Sequence, residues 1–291
     1  MTKLYQKLFK KCPSASEIRK GLKNIYASIP EVPDRKALMD MLGVIDLTSL
    51  NTTDNKSHIL QLTGKVNSFN AKYSNIPTVA AICVYPNFVS LVREKLTAKN
   101  VKIAAVAGGF PSSQTFRSIK LSECKLAVEA GADEIDIVIP LGYFLGGDFS
   151  AVADEIREIK SAAGGDILLK VIIESGLMQT HEQIFNASMI AMDAGADFIK
   201  TSTGKTSVSA TPEAAFVMCT AISVFFRETG IRVGFKPAGG IATSADAAVY
   251  TGIAKGILGE EWINPSLFRI GASRLANNIL SDIMGCRSDH Y

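Results

Sequence analysis

The sequence predicts an α/β fold, a (β/α)₈ TIM barrel with an N-terminal helical extension, and three observations carry that expectation. Short, almost wholly apolar runs recur eight times after Gly43. The segments between them are long enough for crossover helices, as parallel neighbouring strands require. Charged residues interrupt the runs at or near their carboxyl ends, where such a barrel keeps its reactive groups. With 291 residues, 47% hydrophobic and 20% charged, the chain can bury one core of this size.

Taken in order, residues 1–40 read as a helical extension and 41–291 as the barrel domain, with a flexible tail expected from about residue 285. Within the extension, residues 16–27 form an amphipathic helix with Ile18, Leu22 and Ile25 on one side, and Pro30 and Pro33 break the chain after it. The expected strands are 43–47, 79–84, 101–107, 134–139, 167–173, 197–201, 232–236 and 256–258, each apolar as a strand covered on both faces should be. Between them, Thr211-Pro212-Glu213 supplies an N-cap, a proline at the first helical position and a carboxylate near the positive helix end, and Gly230 supplies the stop. The segments Ala130-Gly131-Ala132-Asp133 and Ala194-Gly195-Ala196-Asp197 each join a helix to a strand, an echo expected of repeated barrel units.

Composition excludes several classes of function. The 31 Lys and Arg against 28 Asp and Glu leave +3, with no basic run to meet nucleic acid or an anionic membrane, although a small anionic ligand is compatible. Cys12, Cys83, Cys124, Cys219 and Cys286 are scattered singly, which fits free thiols in a reducing compartment, hence the cytoplasm. His58, His181 and His290 stand far apart without ligand spacing, so no metal and no cofactor is expected. The N-terminus lacks a continuous apolar segment, and residues 214–226 are too short and too interrupted to span a bilayer. Neither composition nor pattern decides between a monomer and a homo-oligomer.

The charges inside the runs carry the chemistry. Asp46 follows Val44-Ile45, Asp136 interrupts Ile135 and Ile137, Lys200 ends Phe198-Ile199, and Lys236 ends Val233-Gly234-Phe235. A single such charge could belong to a buried structural ion pair, but several at one mouth favour a tuned reactive site, because desolvating them together is costly. Lys170 has a supporting place among them. A free lysine, with a pKa of about 10.4, cannot attack a carbonyl until its proton is removed, and lowering that value by about three units takes roughly 4 kcal/mol. A second ammonium beside it supplies part of this by repulsion. Lys200 and Lys236 therefore read as nucleophile and perturber, and spacing alone leaves open which is which.

Three glycine-containing segments suit a phosphate: Thr203-Gly204-Lys205 after the sixth strand, Ala238-Gly239-Gly240 after the seventh, and Gly271-Ala272-Ser273 after the eighth, near a helix start. Backbone N–H groups approach phosphate oxygens closely at glycines, and barrels bind phosphate at the loops after strands seven and eight. Gly204-Lys205 lacks the upstream glycine of a Walker motif.

From Gly43 to Ala276 these segments resemble the deoxyribose-phosphate aldolase family of class I aldolases. The resemblance runs through VIDLTSLN (44–51), AICVYP (81–86), GADEIDIVI (131–139), LLKVIIE (168–174), ADFIKTSTGK (196–205), GFKPAGG (234–240) and FRIGAS (268–273). It implies a barrel enzyme that cleaves 2-deoxy-D-ribose 5-phosphate reversibly to D-glyceraldehyde 3-phosphate and acetaldehyde. It also implies Lys200 as the imine former, Lys236 as its perturber and Asp136 as the group that moves protons with an ordered water. By the same matching, Asp46 and Lys170 complete the network, and Gly204, Lys205, Gly239, Gly240, Gly271 and Ser273 hold the phosphate.

Two departures stand out. Many relatives carry an arginine where this chain has Ala242, and a second serine where it has Arg274, so Arg274 is expected to restore positive charge at the phosphate. Tyr291 resembles the C-terminal tyrosine that reaches the pocket in some members. Cys83, near the mouth, is expected to be a core residue or at most a thiol exposed to aldehydes. The other readings are a barrel aldolase using a different donor, and a catalytically silent sugar-phosphate sensor.

Overall fold

A computed structural model describes residues 8–291; residues 1–7 of the expected extension lie outside the described residues. Among the described residues, eight parallel strands run in ring order: β1 (Ile45–Thr48), β2 (Ala81–Val84), β3 (Lys102–Ala107), β4 (Glu134–Val138), β5 (Leu168–Ile172), β6 (Phe198–Lys200), β7 (Gly234–Lys236) and β8 (Ile270–Ala272). β8 pairs with β1, with Asp46 opposite Gly271. Isolated bridges, Phe235 to Phe268 and Ala238 to Gly271, join β7 to β8, so the ring closes there without a continuous ladder. Pro237, directly after β7, has no N–H to extend one.

The first seven strands lie where the apolar runs put them. The eighth does not: 256–258 is the last turn of a helix (Ser244–Leu258), and the strand is Ile270–Ala272. Gly256, the first residue of the expected strand, and Gly252 one turn before it have another use. A Cβ on Gly252 would come within 2.8 Å of Ile29, and one on Gly256 within 3.2 Å of Ile25. They form a seat on that helix for the N-terminal one.

The helices are α1 (Ala15–Ser28), α2 (Arg35–Leu42), α3 (Lys56–Lys72), α4 (Val89–Lys95), α5 (Arg117–Glu129), α6 (Leu141–Leu145), α7 (Phe149–Ala163), α8 (His181–Asp193), α9 (Pro212–Thr229), α10 (Ser244–Leu258) and α11 (Leu275–Met284). α1 begins at a capping box between Ser14 and Glu17 and buries Ile18, Leu22 and Ile25 against α9 and α10. α2, which spans residue 40, packs on α11. Thr211 caps α9, and Gly230 ends it in the left-handed conformation.

The repeated AGAD segments do the same work twice. Asp133 Oδ2 accepts the Ile103 amide proton at 2.8 Å, and Asp197 Oδ2 accepts that of Leu169 at 2.7 Å. Each aspartate thus anchors the start of the preceding strand. The apolar core lies between strands and helices, whereas inside the ring a small cluster of Leu50, Ala81, Cys83, Ala104 and Val106 lines one wall. These short side chains leave room for long ones from the opposite wall.

Candidate active site

Long cationic chains fill that room. In β4 alternate residues face inward, so Glu134 and Asp136 enter the ring one above the other; β5, β6 and β7 contribute Lys170, Lys200 and Lys236. Register fixes their neighbours: Asp136 lies opposite Lys170, and Lys200 opposite Lys236. Lys236 needs a gap to reach inward, and Gly271 leaves it, since a Cβ there would be 3.2 Å from Lys236 Cε.

The charges form one connected cluster. Asp136 accepts from Lys170 through Oδ1 at 2.8 Å, and from Lys200 and Lys236 through Oδ2 at 2.9 and 2.8 Å. Asp46 pairs with Lys236 through Oδ2 and with Arg269 through Oδ1, the latter at 2.6 Å. Glu134 takes Lys170 at 2.6 Å and Arg269 at 2.7 Å. Lys236, Lys170, Asp46, Asp136 and Glu134 are sealed at 0% exposure, while Lys200 retains 3%.

Burial opposes the charges of Asp136, Asp46, Lys236 and Lys170, and the pairing outweighs it. The Asp136 carboxyl is held well below the usual carboxylate range by Lys170, Lys200 and Lys236 against desolvation, and that of Asp46 is likewise lowered by Lys236, Arg269 and Lys170. Conversely, desolvation would lower Lys236, but Asp136 and Asp46 hold its ammonium above the ordinary value; Asp136 and Glu134 do the same for Lys170. Both are therefore firmly protonated.

The structure thus brings Lys200, Asp136, Lys236, Asp46 and Lys170 together. It adds Glu134 and Arg269, to which the sequence reading gave no role. Period-two alternation from Asp136 points to Glu134. Arg269 stands two residues before Gly271, and the misplaced eighth strand concealed it. A third addition is Glu174, just after β5, which is 1% exposed and accepts from the Thr203 amide at 3.2 Å and its hydroxyl at 2.5 Å.

The loops after β6 and β7 lie side by side at the mouth. A Cβ on Gly239 would sit 2.6 Å from Ser209 and 3.3 Å from Gly204 Cα, and Gly239 and Gly240 both have positive φ, 86° and 80°. Only glycine fits that approach and conformation without strain. Lys205 donates from Nζ to the Leu50 carbonyl across the mouth. Ser273 and Arg274 are exposed at the start of α11, whose first turn has no side-chain cap. Gly271, expected among the phosphate contacts, instead lies within β8 against Lys236.

Tyr291 is not brought to this site. It lies in the helical layer outside the ring, stacked on Phe69 of α3 at 5.2 Å, with its hydroxyl 3.1 Å from that of Thr78 and its backbone bonded twice to Asn277. Cys83 is fully buried, and desolvation raises its thiol above the ordinary value, so it is not an exposed thiol. Among the described residues no group of three His, Cys, Asp or Glu side chains is arranged to hold a metal ion, and no helix is long and apolar enough to cross a membrane.

Comparison with known proteins gives a consistent set of likenesses. Residues 41–259 match the model of the DeoC/LacD family aldolases. The human deoxyribose-phosphate aldolase is 44% identical over 253 residues, covering 83% of this chain and 79% of its own, and the mouse protein of the same name is 42% identical over the same span. Among solved structures, a tetrameric deoxyribose phosphate aldolase from Aeropyrum pernix superposes with a TM-score of 0.65 at 25% identity, covering 93% of this chain and 98% of its own.

Proposed function

This chain belongs to the DeoC/LacD aldolase family and is a carbon–carbon lyase, and from that premise we propose how it cleaves 2-deoxy-D-ribose 5-phosphate to D-glyceraldehyde 3-phosphate and acetaldehyde. Lys200 forms the imine. The observation that carries this choice over Lys236 is access joined to pairing: Lys200 alone of the three lysines keeps some exposure, and it holds half of one carboxylate oxygen, whereas Lys236 is sealed between two carboxylates.

The neutral Lys200 amine adds to C1 of the open-chain sugar, and the resulting carbinolamine loses water to give a protonated imine. The C3 hydroxyl then loses its proton, the C2–C3 bonding pair flows into the iminium, and C3 leaves as the aldehyde carbon of glyceraldehyde 3-phosphate. The remaining enamine takes a proton at C2, and hydrolysis releases acetaldehyde and the amine. Asp136, within 2.9 Å of Lys200, is proposed to move these protons with a water, while Lys236 keeps a positive charge beside the imine nitrogen. Asp46 and Lys170 hold Asp136 and Lys236 in register.

For the phosphate we propose the backbone of Gly204, Gly239 and Gly240, the Lys205 ammonium, Ser273 and the open first turn of α11, with Arg274 adding charge. Asn278, one turn beyond Arg274, donates to the Ala242 carbonyl at 2.8 Å, which supports Arg274 acting where relatives carry an arginine at position 242. Five free thiols support a cytoplasmic location, and the A. pernix tetramer is a precedent for a homo-oligomer. Borohydride reduction in the presence of deoxyribose 5-phosphate, followed by peptide mass mapping, tests the central assignment. The adduct is expected on Lys200; an adduct on Lys236 would reverse it.

A further inference from the structure

Beneath the lysines lies a level of charge that touches no reacting atom. Arg269 forks between two carboxylates, Nη1 to Asp46 Oδ1 at 2.6 Å and Nη2 to Glu134 Oε1 at 2.7 Å, and Glu134 passes its other oxygen to Lys170 at 2.6 Å. Both are buried, Glu134 at 0% and Arg269 at 3% exposure. A barrel interior is ordinarily filled by branched apolar side chains, and an ion pair buried there is seldom worth its desolvation as a source of stability.

We propose that Arg269 and Glu134 are positioning residues that set the net charge of the catalytic cluster and thereby make Lys200 the cation that releases its proton. The inference rests on Lys200 being the imine-forming amine. Lys170, Lys200, Lys236 and Arg269 face Asp46, Asp136 and Glu134, four cations to three carboxylates. Arginine does not deprotonate in proteins. Lys170 stands within 3.8 Å of all three carboxylates, and Lys236 contacts two. The surplus charge therefore falls on Lys200, whose loss of one proton makes the cluster neutral.

The other titratable groups near Lys200 leave that balance intact. Cys83 on β2 is a buried thiol held protonated by desolvation. Glu174, which accepts from Thr203, and Lys205, which donates to the Leu50 carbonyl, are one anion and one cation and together add no net charge. Removing Arg269 cancels the surplus, so the Lys200 ammonium persists to higher pH. Removing the Glu134 charge enlarges the surplus, and the proton leaves at lower pH.

The acidic limb of the pH profile of kcat/KM, which reports the free enzyme, reads this directly. Glu134→Gln, nearly isosteric, is expected to move the limb down by about one pH unit and Arg269→Met to move it up by about as much. The double variant should return it close to the wild-type position, a restoration that a merely structural role would not give. Arg269→Lys, which keeps the charge but loses the fork, should lower kcat with the limb in place. Shifts in the same direction, or no shift, would overturn the proposal. Should Arg269→Met not fold, Glu134→Gln decides alone, since an unmoved limb refutes it. Borohydride trapping in every variant separates the two levels of inference: an adduct away from Lys200 in the wild type defeats the assignment of the nucleophile. An adduct on Lys200 with unseparated limbs defeats only the charge-setting role.

Discussion

Glu174 adopts the left-handed conformation, φ 53° and ψ 55°, which a residue with a Cβ occupies at a cost of about 1–3 kcal/mol. The strain aims its buried carboxylate at the Thr203 amide and hydroxyl, so the turn that carries Gly204 and Lys205 is held from below. Glu174→Ala is therefore expected to raise KM for deoxyribose 5-phosphate by about tenfold, the equivalent of one lost hydrogen bond, with a smaller effect on unphosphorylated deoxyribose. Steady-state kinetics with the two sugars checks this. Arg274→Ala should likewise weaken only the phosphorylated substrate, and an unchanged KM would remove Arg274 from the phosphate site. At this scale the lysines and aspartates were legible because a charge within an apolar run stands out. Glu174 was not, since its importance lies in a hydrogen bond to a residue 29 positions away, which no local pattern encodes.

The N-terminal helix shows how elements seat on the barrel. Gly21 of α1 meets the Phe216 ring of α9 so closely that a Cβ would lie 2.3 Å from it, while Gly252 and Gly256 of α10 receive Ile29 and Ile25. Gly21→Leu should destabilise the protein by about 1–3 kcal/mol through overpacking, seen as a lower thermal midpoint and faster proteolysis near Ser28. These contacts explain why strand eight was illegible. Gly256, read as the start of a strand, is a spacer between helices, and the real strand is three residues long and preceded by Arg269, so it has no apolar run to announce it. Seven strands were legible because their both-sided burial writes such runs. The segment after Gly285, expected as a flexible tail, is tied to α3 and α11 through His290 and Tyr291. Deleting those two residues should lower the thermal midpoint by a few degrees, through loss of the Phe69 stack and the Asn277 bonds.

Across the whole molecule, the buried cluster makes stability depend on pH at both ends. Asp46 and Asp136 have carboxyls lowered from 3.8, so their contribution is present above that value and disappears as pH falls through their lower folded values. Lys170 and Lys236 are raised from 10.5, so theirs is present below that value and is lost as pH rises through the higher folded ones. Melting curves should show a plateau between about pH 4 and pH 10, with a fall on either side. A midpoint that declined steadily through neutral pH would contradict this. The eightfold ring was legible from element count and spacing, but its seam was not, because closure depends on which strands meet. Between β7 and β8 the amides of Phe235, Arg269 and Gly271 donate to Leu267, Phe235 and Pro237, with no further register behind them. The ring is thus a band with a clasp, and deuterium should enter the Arg269 and Gly271 amides before those of β4 and β5. Lys236 ends β7 beside that clasp, so the catalytic cluster is tied to the one seam of the ring that lacks a continuous ladder.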